Sequence, residues 1–134
     1  MKYLLDTNIC IYLINEKPKK VLHKFERYPV HEFGISSITQ AELQYGVAKS
    51  NNKNQAALDE FLLPLTILPF QGKGLVESYG KIRSFLESKG KTIGPLDTLI
   101  AAHALSLDLT LVSNNIKEFS RIPNLKCENW VSEA

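Results

Sequence analysis

The sequence predicts a single α/β domain built on a central parallel β-sheet. Short apolar runs that are typical of buried strands alternate along the chain with amphipathic segments of helical periodicity, and this order favours parallel strands joined by helices. The chain has 134 residues, which suits one domain spanning residues 1–134. Apolar residues make up 44% of the sequence, enough to form a hydrophobic core.

The first predicted strand lies at the start of the chain. Residues 3–5 form a short apolar run that Asp6 ends, so we expect a buried strand here. Apolar positions between residues 9 and 14 predict the first helix, and Pro18 both ends it and can open the next one. The sequence FGIS at residues 33–36 predicts a second strand.

A helix is predicted after the second strand. The sequence TQAE at residues 39–42 fits a capping box, in which Thr39 and Glu42 would satisfy the free backbone groups at the helix start. Residues 51–54 are polar and interrupt the pattern. A further amphipathic helix follows, and Pro64 stops it.

The second half of the chain repeats the alternation of strand and helix. Residues 65–68 predict a third strand, and a long helical face follows that Gly90 ends. Pro95 opens another helix, because proline is well tolerated at the first helical position. Residues 109–112 form the most strand-like run of the sequence, and residues 125–127 predict a final edge strand.

Acidic and amide side chains recur at the predicted strand ends. Asp6 follows the first strand, and Asn114 and Asn115 follow the fourth. Glu42 and Asp97 lie near the starts of two helices. Because ligands of such sheets bind beyond the carboxyl ends of the strands, we expect these side chains to share one crevice.

Taken singly, the three acids have structural explanations. Asp6 could cap the first helix, Glu42 could belong to the capping box, and Asp97 suits the positive end of a helix dipole. Gathered together, however, carboxylates repel one another unless a cation is present. Mg²⁺ prefers a few carboxylates and leaves room for phosphate oxygens, and it can activate water for displacement at a phosphodiester.

Other chemistries lack the residues that they need. The net charge of +2 is too small to indicate a nucleic-acid-binding protein by itself. Cys10 and Cys127 form no CxxC motif and are expected to be reduced thiols. The three histidines have no metal-ligand spacing, and His103 is expected in or beside the core. No leader-like or membrane-length apolar segment occurs, so we expect a cytoplasmic protein.

Two segments are locally basic. Residues 16–27 contain five cations and two acids, and residues 81–91 contain four cations and one acid, so each carries a local charge of +3. Such segments could contact RNA phosphates beside an acidic cleft. They could equally be the solvated faces of two helices.

Four segments together resemble a known family. They are LDTNI at 5–9, TQAELQYG at 39–46, LDTLIAAHA at 96–104 and LVSNN at 111–115. In this order and spacing they resemble the PIN-domain nucleases and, more narrowly, the VapC toxins of VapBC toxin–antitoxin systems. The resemblance covers nearly the whole chain. Each motif alone is weakly specific, whereas the four motifs together are strongly specific.

The resemblance implies a parallel sheet flanked by helices on both faces and an endoribonuclease that depends on Mg²⁺ or Mn²⁺. It implies Asp6, Glu42 and Asp97 as the acidic core, with Asp6 and Asp97 as direct metal ligands. Glu42 would bind a second ion or position the attacking water. Thr7 and Asn8 would support the first ligand and the substrate.

The sequence departs from many PIN domains at the fourth acidic position. Asn114 and Asn115 stand where an aspartate is common, and Glu118 is the nearest acid. Either Glu118 supplies the fourth carboxylate or Asn115 contributes a neutral oxygen. A permanently bound second ion is therefore less certain than a first.

The resemblance also implies a substrate and partners. The sequence looks most like toxins that cut initiator tRNA in the anticodon loop, and a homodimer is expected. A VapB-type antitoxin would lie along the helices and reach the acidic pocket, and Ile11, Tyr12 and Ile14 could form its groove or could be plain core.

The alternative function is a PIN-like module that binds RNA or a protein without cutting. Phosphoacceptor and dehalogenase-like phosphatase folds are disfavoured, because their acidic motifs are absent.

Overall fold

Five parallel strands form the centre of the structure, a computed structural model that describes residues 1–131. The strands are β1 (Tyr3–Leu5), β2 (Phe33–Ser36), β3 (Thr66–Leu68), β4 (Thr110–Val112) and β5 (Cys127–Glu128). Their order across the sheet is β3-β2-β1-β4-β5, with parallel pairing throughout. The predicted parallel sheet is confirmed, and its central strand is the one that Asp6 follows.

Helices connect the strands. They are α1 (Thr7–Asn15), α2 (Lys19–Glu26), α3 (Ser37–Lys49), α4 (Gln55–Leu62), α5 (Lys73–Ser88), α6 (Pro95–Ser106) and the short α7 (Ile116–Phe119), with a 3₁₀ turn at Val30–Glu32. Within residues 1–131, no helix combines the length and the apolar character needed to cross a bilayer.

The sheet has a hydrophobic core on each face, and β1 contributes to both. Tyr3 and Leu5 belong to the core under α1 to α4, whereas Leu4 belongs to the core under α5, α6 and α7. This alternation follows from the period of two in a strand, which turns neighbouring side chains to opposite faces. Because helices cover both faces of β1, all of its side chains are buried and its sequence is a continuous apolar run. The expectation of helices on both faces is confirmed.

Two helix boundaries follow the local sequence signals. Pro95 is the first residue of α6, which places Asp97 in the first turn as predicted. Gly90 follows the end of α5 with φ of 65°, a left-handed conformation that glycine adopts without strain. The amide of Lys91 then donates to the carbonyl of Leu86 over 3.0 Å and satisfies an end carbonyl of the helix.

The predicted capping box at residues 39–42 is wrong. β2 continues directly into α3, so the helix starts at Ser37 and Ser36 is its cap, accepting a hydrogen bond from the Ile38 amide over 3.1 Å. Thr39 is buried inside the helix, and its hydroxyl has no hydrogen-bond partner among the described residues. Glu42 is therefore free to serve a different purpose from capping.

The last strand is displaced from its predicted position. We expected residues 125–127, whereas β5 comprises Cys127 and Glu128, which pair with Leu111 and Val112 of β4. Only two residues form the strand, so sequence periodicity carries little information about its bounds. Residues 132–134 of the predicted domain lie outside the described residues.

Candidate active site

Asp6 lies at the carboxyl end of the central strand and is the N-cap of α1. One carboxylate oxygen accepts the Thr7 amide over 2.9 Å, and the other accepts the Ser113 hydroxyl over 2.7 Å. The residue is only 5% exposed. Burial raises the pKa of the Asp6 carboxyl, and the hydrogen bonds from Ser113 and Thr7 oppose that rise. The capping role and the site role of Asp6 therefore coincide.

Asp97 faces the same crevice from the first turn of α6. Burial and then the negative charges of Asp6, Glu42 and Glu118 raise its pKa to about 6, and a hydrogen bond from Asn115 opposes them. The bond joins Asn115 Nδ2 to Asp97 Oδ2 over 3.2 Å. The structure thus brings Asp6, Glu42 and Glu118 close enough to Asp97 for their charges to raise its pKa.

Glu42 is oriented by Thr7. The Thr7 hydroxyl donates to Glu42 Oε1 over 2.8 Å, while the Thr7 amide donates to Asp6. One residue at the start of α1 therefore couples the carboxylate after β1 to the carboxylate of α3. Asn8, the next residue, is exposed in the same helical turn and lies at the edge of this arrangement.

Ser113 is a site residue that sequence reasoning did not single out. It is fully buried directly after β4 and donates to Asp6, while its oxygen accepts the amide of Asn115 over 2.9 Å. Because Asn115 in turn donates to Asp97, hydrogen bonds connect the two predicted metal ligands through Ser113 and Asn115. The available signal was position alone, since Ser113 directly follows a strand at the sheet edge where ligands bind.

The residues proposed for the fourth acidic position behave differently. Asn115 contacts Asp97 directly, whereas Glu118 on α7 acts on Asp97 through its charge. The side-chain amide of Asn114 donates to the Tyr12 hydroxyl of α1 over 2.9 Å. Asn115 and Glu118, the two candidates for the fourth acidic position, therefore both act on Asp97. Asn114 instead connects the turn after β4 to α1.

The donor set suits a hard divalent cation. Carboxylate and amide oxygens are the ligands that Mg²⁺ prefers, and it commonly binds proteins through one or two carboxylates while keeping several waters. No group of three His, Cys, Asp or Glu side chains within residues 1–131 already forms a complete ligand set. Burial contributes most to the raised pKa of Asp97, and the negative charges of Asp6, Glu42 and Glu118 add to it; a bound cation would relieve the repulsion among these carboxylates.

Three other side chains of reactive type are buried or half-buried in the structure: His103, Cys10 and Cys127. His103 is buried, its Nδ1 lies 2.8 Å from Ser36 Oγ, and its ring meets the ring of Phe70 edge-on. Burial lowers its pKa, which keeps it neutral near pH 7. Cys10 is buried and Cys127 is half-buried, and burial raises the pKa of Cys127 to about 11. These findings confirm the expected burial of the histidine and of the two cysteines.

A groove between α1, α3 and α4 opens beside Glu42. It has a volume of about 310 Å³, and its apolar lining includes Ile11, Ile14, Val47 and Leu58. Ile11 is 41% exposed and Ile14 is partly buried. These two residues are therefore available at the surface, whereas Tyr12 is engaged with Asn114.

Comparison with known proteins places the chain in a family. The PIN domain profile matches residues 3–125. Ribonuclease VapC2 of Rickettsia felis is 52% identical over 97% of this chain and 98% of its own length. The tRNA(fMet)-specific endonuclease VapC of Salmonella typhimurium is 39% identical over 97% of this chain and 98% of its own.

Comparison with solved structures supports the same family. The fold is similar to VapBC2 from Rickettsia felis bound to a promoter DNA fragment, with a TM-score of 0.87 and 49% identity over 97% of this chain and 99% of that one. It is also similar to DNA-bound VapBC from Salmonella typhimurium, with a TM-score of 0.89 and 39% identity over 97% and 98% of the two chains. This chain therefore belongs to the PIN-domain family and, within it, to the VapC ribonucleases.

Proposed function

We propose that this protein is the toxin of a type II toxin–antitoxin pair and acts as a Mg²⁺-dependent endoribonuclease. Mn²⁺ is an alternative ion. The observation that carries the proposal is the gathering of Asp6, Glu42 and Glu118 around Asp97, whose pKa is raised to about 6 by burial first and by these three negative charges next. Such a concentration of negative charge costs stability unless it serves to bind a cation.

In the proposed mechanism, Asp6 and Asp97 hold the ion. When bound, a divalent ion lowers the pKa of water and stabilises the charge that develops on the phosphate. Ser113 and the Thr7 amide fix the Asp6 carboxylate, and Asn115 fixes that of Asp97.

Glu42 completes the proposed mechanism. The Thr7 hydroxyl holds its carboxylate over 2.8 Å, in an orientation suited to positioning the attacking water. Glu118 and Asn115 are the two candidates for additional oxygen donors beside Asp97. Asn8, exposed at the first turn of α1, is proposed to contact the RNA.

The proposed substrate is initiator tRNA, cut in the anticodon loop. Two relatives that are 39% and 38% identical to this chain are named tRNA(fMet)-specific endonucleases. Unpaired loops suit such an enzyme, because their bases and backbone are accessible to a small domain. The exposed cations Lys19, Lys20, Lys89 and Lys91 are available for phosphate contacts. A tRNA substrate also implies a cytoplasmic location.

The substrate is tested by incubating the purified protein with total tRNA and Mg²⁺ or Mn²⁺ and mapping the new RNA ends. We expect one discrete cut in an anticodon loop that chelator abolishes. Asp97→Asn should abolish it as well, whereas Asp59→Asn, which removes an exposed acid from α4, should cut like the wild type. Cuts in another RNA would keep the ribonuclease and replace its substrate. Tight RNA binding without any cut would favour the non-cutting module.

The proposed partner is a VapB-type antitoxin, and the proposed assembly is a homodimer of the toxin joined by antitoxin chains. The groove lined by Ile11 and Ile14 provides exposed apolar surface next to Glu42. Several similar solved structures are VapBC complexes. An antitoxin segment in this groove would end beside the acids and block access to them.

Antitoxin binding is tested with Ile11→Lys, which puts a charge into the groove. We expect the antitoxin encoded next to this protein to bind the variant about tenfold more weakly than the wild type, as for an apolar anchor at an interface. Val76→Lys, on α5, is the control, because Val76 is equally apolar and 63% exposed. Equal binding to both variants would place the antitoxin elsewhere.

A further inference from the structure

A second cavity lies between α5 and the loop that leads into α6. Its volume is about 250 Å³. Tyr79, Arg83 and Glu87 line it from α5, and Thr92 and Pro95 line it from the loop and the start of α6. The mechanism proposed above uses none of these five residues. Apolar walls and a few polar side chains are typical of sites for small organic groups.

Arg83 is held in a defined position in this cavity. Its Nη1 donates to the Tyr79 hydroxyl over 3.1 Å, and its Nε donates to Glu87 Oε2 over 3.2 Å. A guanidinium has five N–H groups, and these bonds use two of them. Arg83 is exposed, so the planar group can present its other N–H groups to a ligand. Glu87 supplies an acceptor beside these donors.

Two residues of the cavity wall belong to the same helical turn as Asp97. Pro95 and Thr98 line the cavity, and both lie in the first turn of α6 with Asp97. Gly94, which precedes Pro95, lies close to the acid, since a β-carbon on it would stand 3.7 Å from Asp97 Oδ2.

The loop that forms the cavity wall is fixed to the site from the other side. Arg121, which follows α7, donates from Nη1 to the carbonyl of Thr92 over 3.1 Å. α7 carries Glu118, so one hydrogen bond ties the wall of the cavity to the segment that faces Asp97. This bond links the cavity wall to the segment that follows α7.

We propose that this cavity binds one unpaired nucleobase of the RNA next to the bond that is cut, with Arg83 and Glu87 contacting its edge. The inference rests on the ribonuclease function proposed above. Base edges carry neighbouring acceptor and donor groups, such as N7 and N6–H₂ of adenine, which a guanidinium and a carboxylate can match. Lys89 and Lys91 are exposed nearby in sequence and can neutralise the adjacent phosphates.

The test combines protein variants with RNA variants. The RNA is a stem–loop that reproduces the anticodon arm of initiator tRNA, together with versions that each lack one loop base. Binding is measured by fluorescence anisotropy with Ca²⁺, and cleavage is measured separately with Mg²⁺. The protein variants are Arg83→Met, which keeps the apolar stem, and Lys81→Gln, which removes a cation of α5 that does not line the cavity. Thermal melting confirms that each variant is folded.

We expect one missing base to weaken binding to the wild type and to Lys81→Gln by about tenfold, as removal of a protein–base contact does. The same missing base should change binding to Arg83→Met by less than about twofold, because the contact is already lost. Equal losses in Arg83→Met and the wild type at every position would overturn the subsite and leave the ribonuclease intact. The subsite is also overturned if Arg83→Met converts a dimer into monomers, which would assign this face to a second copy. If the effects of the missing base and of Arg83→Met on binding depend on each other but no RNA is cut, the result supports the subsite and refutes the ribonuclease. If the RNA does not bind at all, both proposals are refuted.

Discussion

Ser113 Oγ donates to Asp6 Oδ2 over 2.7 Å, although the two residues are 107 positions apart in sequence. Both are buried, so the bond forms away from bulk water. It lowers the pKa of Asp6 against the effect of burial and therefore favours the charged carboxylate that a cation needs. The pairing of β1 with β4 places the two residues together.

Replacing Ser113 with alanine should weaken metal binding and slow cleavage. The Asp6 carboxylate would lose one of its hydrogen bonds, its pKa would rise further, and its orientation would be less fixed. Loss of a group that orients a metal ligand typically costs about 10–100-fold in metal affinity or activity. The Mg²⁺ concentration that gives half-maximal cleavage measures the change. Ser88→Ala, at an exposed position of α5, is the control and should match the wild type.

Thr7 should contribute through its hydroxyl as well as its amide. Thr7→Val keeps the branched shape and the amide that donates to Asp6, but it removes the bond to Glu42. We expect the cleavage rate at saturating Mg²⁺ to fall about tenfold, because Glu42 would no longer be held in place. Thr7→Ser retains the hydroxyl and should recover most of the rate. Equal rates for the valine and serine variants would show that Glu42 does not depend on Thr7.

Asp97→Asn should stabilise the metal-free protein at high pH. Asp97 has a raised folded-state pKa of about 6, so the stability gained by protonating it is fully present below its unfolded value of roughly 4 and is lost as the pH rises through 6. The neutral asparagine avoids this loss. In chelator at pH 8, we expect the variant to melt about 3 °C above the wild type, and the difference should shrink as the pH falls and vanish below about pH 4.

The same melting experiment checks the origin of the effect. Added Mg²⁺ at pH 8 should raise the Tm of the wild type and have less effect on Asp97→Asn, because ligand binding stabilises the folded state. If the two proteins melt alike in chelator at pH 8, burial and the charges of Asp6, Glu42 and Glu118 do not raise the pKa of Asp97 as described.

Asn115 and Glu118 should differ in their effect on cleavage. Asn115 donates directly to Asp97, whereas Glu118 acts through charge. We therefore expect Asn115→Ala to lower kcat/KM about tenfold, as loss of a ligand-orienting group does. Glu118→Gln should lower it about twofold. The reverse ranking would assign the fourth acidic position to Glu118.

The positions of Asp6 and Asp97 in the site could be predicted from the sequence, because each of them closely follows a secondary-structure signal. Asp6 ends an apolar strand and Asp97 follows a helix-opening proline, so their places at the sheet edge are set locally. The capping box at Thr39 failed for the opposite reason. Its local pattern is satisfactory, but β2 passes into α3 without a loop, and packing buries Thr39.

The hydrogen bonds of the site could not be predicted in this way. Ser113 meets Asp6 only because β4 pairs with β1, and a serine after a strand carries no distinctive local signal. Asn114 and Asn115 looked equivalent in sequence, yet the first donates to Tyr12 and the second to Asp97. Their difference arises from the turn after β4, which directs adjacent side chains to different neighbours.

The metal-dependent site is tested most directly by the Mg²⁺ dependence of initiator tRNA cleavage by the wild type, Asp97→Asn and Asp59→Asn. We expect a saturable Mg²⁺ dependence for the wild type and for Asp59→Asn. For Asp97→Asn we expect a rate that is lower by roughly a hundredfold or more at any Mg²⁺ concentration, as for loss of a direct metal ligand. Cleavage that persists in chelator, or that Asp97→Asn leaves at the wild-type rate, would contradict a metal-dependent site built on Asp6 and Asp97.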